Sequence, residues 1–207
     1  MKPIFQKIKM EDKYYFDKLY KKTKGSLWKG SVHKNYLDIL IKRINKGKIL
    51  DLGAGEGGDA IYLAKKGFDV TAVDISKFVI DGIKRLAKKE SVNVKTEIAD
   101  LEDYKIEKEY DGIISFATLH FLPKDKIDNI IKDIKEKTNK KGINIIMVFR
   151  KGDSSEGKFD MYYFKNKELK EYYKDWNIIE YKEYDDIDKC HGKPHIHKIA
   201  LIIAEKK

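Results

Sequence analysis

The sequence predicts an α/β fold in which a seven-stranded, mostly parallel sheet lies between two layers of helices and ends in an antiparallel hairpin. Three observations predict it. Short apolar runs alternate with amphipathic helical segments between residues 48 and 149, as expected of parallel strands joined by crossover helices. A turn with four glycines, Gly53-Ala54-Gly55-Glu56-Gly57-Gly58, follows the first run. The last two apolar runs are joined by a linker too short for a crossover helix, so they pair antiparallel.

In chain order, Glu11–Lys22 carries Tyr14, Phe16 and Tyr20 and reads as an amphipathic helix broken by Thr23-Lys24-Gly25-Ser26. Ser31 can cap a second helix, with Val32, Tyr36, Leu37, Ile39, Leu40 and Ile44 at helical spacing and Gly47 beyond its end. Lys48–Leu52 is the first strand and Asp59–Lys66 the helix after the glycine turn. Phe68–Val73 is the second strand, and Ser76 opens a helix with Phe78, Val79, Ile83, Leu86 and Ala87 on one face. Val92–Ile98 and Tyr110–Phe116 are the next strands, Lys124–Asn139 a helix, and Ile143–Phe149 the fifth strand. Asp153–Asp160 reads as a loop and Lys167–Lys174 as a short helix. Trp176–Tyr184 and His195–Ala204 form the terminal pair. The arrangement is a Rossmann-like three-layer sandwich.

The length of 207 residues suits one domain. The net charge of +10 comes almost entirely from lysine. The lysines are scattered in doublets such as Lys65-Lys66 and Lys88-Lys89, which suits a solvated surface better than a nucleic-acid or membrane footprint. One cysteine, Cys190, allows no internal disulfide and fits a reducing cytoplasm. No apolar run approaches the roughly 20 residues that span a bilayer. The expected partner is a small molecule, without nucleic acid or membrane, and the expected state is monomer or homodimer.

The candidate site is the glycine turn with the acids that follow successive strands. Gly53, Gly55 and Gly58 also satisfy the dinucleotide pattern GxGxxG. However, Asp51 at the end of the first strand and Glu56 in the turn would repel a pyrophosphate and suit a ligand bearing an ammonium and a sulfonium. Asp74 ends the second strand, where it can accept from ribose hydroxyls. Asp100 follows the third, where it can accept from an adenine amino group while Leu101 packs on the ring.

These residues resemble the class I S-adenosylmethionine-dependent methyltransferases. Asp51-Leu52-Gly53-Ala54-Gly55 is similar to the first motif, Val73-Asp74-Ile75 to the ribose motif and Ala99-Asp100-Leu101 to the adenine-side motif. Phe116–Phe121 is similar to the segment lining the cofactor floor. The resemblance implies S-adenosylmethionine as cofactor, held in a core of residues 31–150, with residues 1–30 as a helical segment over the cleft and 151–207 on the substrate side. It implies cofactor contacts from Asp51, Gly53, Ala54, Gly55, Asp74, Ile75, Asp100, Leu101 and Phe116. A closer similarity is to the tellurite-resistance methyltransferases, carried by the aromatic N-terminal segment with Trp28, by Ser115–Pro123 and by Phe164–Trp176. It implies methylation of a chalcogen oxyanion or another small soft nucleophile, with Trp28 near the cofactor. His191 matches a histidine of that group's last hairpin, but no arginine lies in this hairpin, so Lys193, His195 or His197 would have to substitute.

His191, His120 and His195 are the candidate catalytic groups. Cys190, His191, His195 and His197 have the chemistry of a substrate pocket, a soft-metal contact or plain surface, but their spacing matches no standard zinc pattern, and no metal site is assigned. The alternatives are an RNA methyltransferase or a non-catalytic S-adenosylmethionine- or NAD-binding protein.

Overall fold

A computed structural model describes residues 15–22, 32–188 and 194–207. Its sheet is built from β1 (Lys48–Leu52), β2 (Asp69–Asp74), β3 (Val94–Ile98), β4 (Tyr110–Phe116), β5 (Thr138–Phe149), β6 (Asn177–Asp188) and β7 (His195–Glu205). Their order in the sheet is β3-β2-β1-β4-β5-β7-β6. The first five strands pair in parallel. β7 inserts antiparallel between β5 and β6, so the terminal pair is antiparallel as expected.

The helices are α1 (Tyr15–Lys22), α2 (Lys34–Arg43), α3 (Gly58–Lys65), α4 (Lys77–Lys89), α5 (Lys124–Glu136) and α6 (Glu168–Tyr172). Strand alternation divides the apolar side chains between two cores. Ile49, Ile114, Ile145 and Leu201 face α2, α3 and α4, against Leu40, Leu63 and Ile83. Leu50, Ile113, Ile146 and Ile202 face α5 and α6, against Ile131 and Leu169. Both faces of the central strands are therefore apolar, which explains their unbroken hydrophobic runs.

Several element ends differ from expectation. α2 starts at Lys34, after His33; Ser31 lies outside the described residues. α5 stops at Glu136 because Thr138 pairs with Tyr110 and opens β5 early, while the Thr138 hydroxyl donates to the Ile134 carbonyl at 2.6 Å. β6 runs on past Tyr184 to Asp188, which sets Asp186 and Asp188 in register with His197 and His195 of β7. Ser76 caps α4 as expected, its hydroxyl accepting from the Val79 amide at 3.3 Å. No helix of the described residues is long and apolar enough to cross a membrane.

The chain runs from β1 outward to β3, then returns to β4 on the other side of β1. This reversal opens a crevice at the carboxyl ends of β1 and β4, the usual ligand position in such sheets. The glycine turn fits there because Gly53 and Gly57 lack side chains. Gly53 has φ +74°, and a Cβ on it would fall 2.2 Å from the Thr118 side chain; Gly57, at φ +79°, would meet Ile83 at 2.5 Å. Gly57→Ala should therefore cost about 1–3 kcal/mol, lowering Tm by about 2–4 °C per kcal/mol. Thermal denaturation checks this, and an unchanged or raised Tm would refute it.

Candidate active site

A cavity of about 530 Å3 fills the crevice. One half is walled by the glycine turn and by Asp51, Asp59, Asp74, Ile75, Asp100 and Leu101, under Tyr15, Phe16 and Tyr20 of α1. The other half is walled by Met147, Phe149, Met161, Asp188, His197 and Ile199. Among the described residues that line it there is no lysine or arginine, although the chain carries a net +10.

Asp51 points to the apolar α2–α4 side of β1 and is almost wholly buried. Its Oδ2 has no hydrogen-bond partner among the described residues. Burial first, then the nearby Asp59 and Asp74 carboxylates, push its carboxyl well above the usual range. Asp59 itself is held by His33, whose amide and Nδ1 donate to its two oxygens at 2.8 and 2.7 Å. The His33 ring stacks on Phe116 with centroids 3.9 Å apart.

Asp74 accepts from the Gly55 amide at 3.0 Å and the Ser76 amide at 2.9 Å, so it braces the turn it faces. Burial outweighs these bonds and raises its pKa to about 6. Asp100 accepts from the Glu102 amide at 3.1 Å, beside the buried Leu101. α1 is tied across the cleft by Asp17, which accepts from the Ser76 hydroxyl and the Phe78 amide at 2.9 and 3.0 Å. A buried carboxylate with an empty oxygen and a tight glycine cradle fit an amino-acid-bearing cation beside a nucleoside, which is the shape of S-adenosylmethionine.

At the other half, Phe149 lies between two imidazoles, with His120 stacked at 4.1 Å and His197 at 4.2 Å. Phe149 and His197 line the cavity; His120 is fully buried behind Phe149. His120 Nδ1 accepts from the Phe149 amide at 3.3 Å, and burial lowers its pKa to about 3. It is thus a neutral core histidine rather than a group beside a reacting methyl. His195 is half-buried and reaches the cavity through His197, their Nε2 atoms 3.1 Å apart. His197 Nδ1 faces Asp153 Oδ2 at 3.1 Å. Burial pushes Asp153 up, but donation from His197, Ser155 and the Lys198 amide prevails and brings it to about 2.

Among the expected residues, the structure brings Asp51, Gly53, Ala54, Gly55, Asp74, Ile75, Asp100, Leu101 and Phe116 to one cavity. Trp28, Cys190, His191 and Lys193 lie outside the described residues. Sequence reading missed His33, Asp59, Phe149 and Asp153. Asp153 sat in what read as a polar loop, and its signal, an Asp-x-Ser turn like that of Asp74-x-Ser76, is common in loops.

A family model described as "Tellurite resistance protein TehB" matches residues 8–198. The chain belongs to the TehB family of S-adenosylmethionine-dependent methyltransferases. It is 34% identical over 203 residues to a Haemophilus influenzae protein named "Probable S-adenosyl-L-methionine-dependent methyltransferase TehB", covering 96% of this chain and 68% of that one. The crystal structure of TehB from Haemophilus influenzae superposes with a TM-score of 0.78 at 33% identity, covering 94% of this chain and 67% of that chain. The chain therefore spans about two thirds of these relatives. The N-methyltransferase NodS from Bradyrhizobium japonicum, solved with S-adenosylhomocysteine, shares the fold at 13% identity, with a TM-score of 0.68 over 84% of this chain and 85% of its own.

The raised carboxyl of Asp51 makes a signed prediction for this TehB-family chain. A carboxyl whose pKa is higher folded than unfolded stabilises the fold most at low pH, and that contribution is lost as pH rises through the folded value. Asp51→Asn should then raise the Tm of the unliganded protein at pH 7.5 by about 2–4 °C or more, with the gap narrowing toward pH 5. The same variant should bind S-adenosylhomocysteine at least about tenfold more weakly, since a charge-assisted bond contributes roughly 1.5–3 kcal/mol. Denaturation at both pH values and calorimetry check this; an equal Tm with equal affinity would refute it.

Proposed function

We propose that this chain transfers the methyl group of S-adenosylmethionine to a small soft nucleophile, such as a chalcogen oxyanion of the tellurite or selenite kind, in the cytoplasm. The observation that carries this reading is the cavity itself: one continuous space, lined by Asp51, Asp59 and Asp74 at the glycine end and by Phe149, His197, Asp186 and Asp188 at the other. When bound, the cofactor supplies a methyl group already activated by its sulfonium charge.

The chain's own residues bind, align and exclude water. Asp51 receives the ammonium of the donor's amino acid, Asp74 the ribose hydroxyls and Asp100 the adenine amino group. Ile75 and Leu101 would hold the base, and the backbone of Gly53, Ala54 and Gly55 would hold the amino-acid moiety. Phe116, braced by His33, forms the floor. Phe149, propped from behind by His120, keeps the acceptor side dry. His197, facing Asp153 through Nδ1 and His195 through Nε2, lines the acceptor end.

The lysines of the chain are scattered in doublets rather than gathered in one stripe, which gives nucleic-acid phosphates no concentrated footprint. Formation of S-adenosylhomocysteine, assayed with selenite, tellurite, small thiols and bulk RNA, tests the reading. Turnover is expected with one of the small acceptors; turnover with RNA alone would overturn it. Asp74→Ala should weaken S-adenosylhomocysteine binding by about 1–3 kcal/mol through lost hydrogen bonds, and unchanged affinity would remove Asp74 from the ribose site.

A further inference from the structure

The acceptor half of the cavity presents a difficulty that its own residues resolve. An oxyanion, a thiolate or a selenolate is negatively charged, yet the described residues around that half carry carboxylates and no lysine or arginine. Desolvating an anion against carboxylates without a cation is strongly unfavourable. A cation set among the carboxylates of that half would offset the acceptor's charge.

Asp188 at the end of β6 pairs in register with His195 at the start of β7, and His197 lies two residues on, so all three side chains share one face of the hairpin. Their ligand atoms form a compact triangle. The two Nε2 atoms are 3.1 Å apart, and Asp188 Oδ2 lies 3.6 Å from His197 Nε2 and 4.0 Å from His195 Nε2. Tetrahedral zinc with bonds of about 2.0–2.1 Å separates its ligand atoms by about 3.3 Å, so small side-chain adjustments close the triangle around an ion. Asp153 fixes the tautomer. It accepts from the Ser155 and Lys198 amides, both at 2.8 Å, and faces His197 Nδ1 at 3.1 Å, so Nδ1 donates to it and Nε2 is the ring nitrogen turned toward the triangle. A carboxylate behind a ligating imidazole is the usual outer support of a metal histidine. Without an ion, the two Nε2 atoms share one hydrogen bond at 3.1 Å; an ion would sit between them in its place.

We propose that Asp188, His195 and His197 bind a divalent transition-metal ion of the zinc type at the acceptor end of the cavity, with one coordination position open toward the cavity for an anionic or soft acceptor. Two of the three ligands, Asp188 and His197, line the cavity. Three protein ligands and an open fourth position are the pattern of a zinc site that handles substrate, and imidazole suits such ions. The use assigned to the ion rests on the acceptor reading above, but its binding stands or falls separately.

The test is titration of the full chain, loaded with S-adenosylhomocysteine, with Co2+ and then Zn2+, followed by ligand-field absorption and calorimetry. One equivalent of Co2+ should bind with tetrahedral-type absorption and be displaced by Zn2+. His197→Gln and Asp188→Asn should each weaken binding by at least about 100-fold, and Asp153→Asn by about 10–100-fold. Affinity for S-adenosylhomocysteine should stay within about twofold in each, which also reports that the variant folds. His195→Gln, at a half-buried site, provides a second ligand variant should one of the buried changes fail to fold. No stoichiometric binding in the wild type overturns the inference, as does binding that survives the double change His195→Gln/His197→Gln and is lost in Cys190→Ser. Either result leaves the methyltransferase reading intact, which only a loss of cofactor binding or turnover would strike.

Discussion

The site depends on one buried negative charge. Asp51 stands at the end of β1, on the apolar side of the central strand, with an oxygen that nothing in the described chain satisfies. A fold tolerates such a group only if a ligand compensates it or if it holds a proton. The surroundings withhold other compensation. The neighbouring acids Asp59 and Asp74 raise its pKa further, and the one nearby imidazole, His33, is committed to Asp59. The cleft is therefore poised for a cation that arrives from outside.

The architecture brings that charge to the right place. Crossover from β3 back to β4 opens the crevice beside β1, and the glycine turn lets the backbone close around a ligand where a Cβ would strike Thr118. α1 covers the opening, fastened by Asp17 to the start of α4. The surface is lysine-rich and the cavity acidic, so the +10 charge is a property of the exterior and says little about what the site binds. At the far end, the His120–Phe149–His197 stack joins the core to the cavity wall, and the β6–β7 hairpin adds the only polar chemistry facing the acceptor among the described residues of that end.

Much of this was legible in the sequence because it depends on local order. Strand periodicity and the glycine turn fixed β1 to β5, and the acids after successive strands fell at one sheet edge because parallel strands all end there. The antiparallel terminal pair followed from linker length. What was not legible depends on distant pairing. β5 begins at Thr138 because Tyr110 pairs with it, a contact 28 residues away in the chain. His120 looks like a pocket residue from its position after β4, but Phe149, brought in by the parallel pairing of β4 and β5, screens it from the cavity. Asp153 joins His197 across 44 residues, and Asp188 meets His195 only through the hairpin register, so no spacing rule for metal ligands finds them.

We propose that Asp51 recognises the ammonium of the donor's amino acid. Calorimetry with S-adenosylhomocysteine and with methylthioadenosine, which shares the nucleoside and sulfur but lacks the amino acid, tests it most directly. The expected result is a clear preference for S-adenosylhomocysteine in the wild-type chain that largely disappears in Asp51→Asn. Equal affinity for the two ligands in the wild type, or an undiminished preference in the variant, would contradict it.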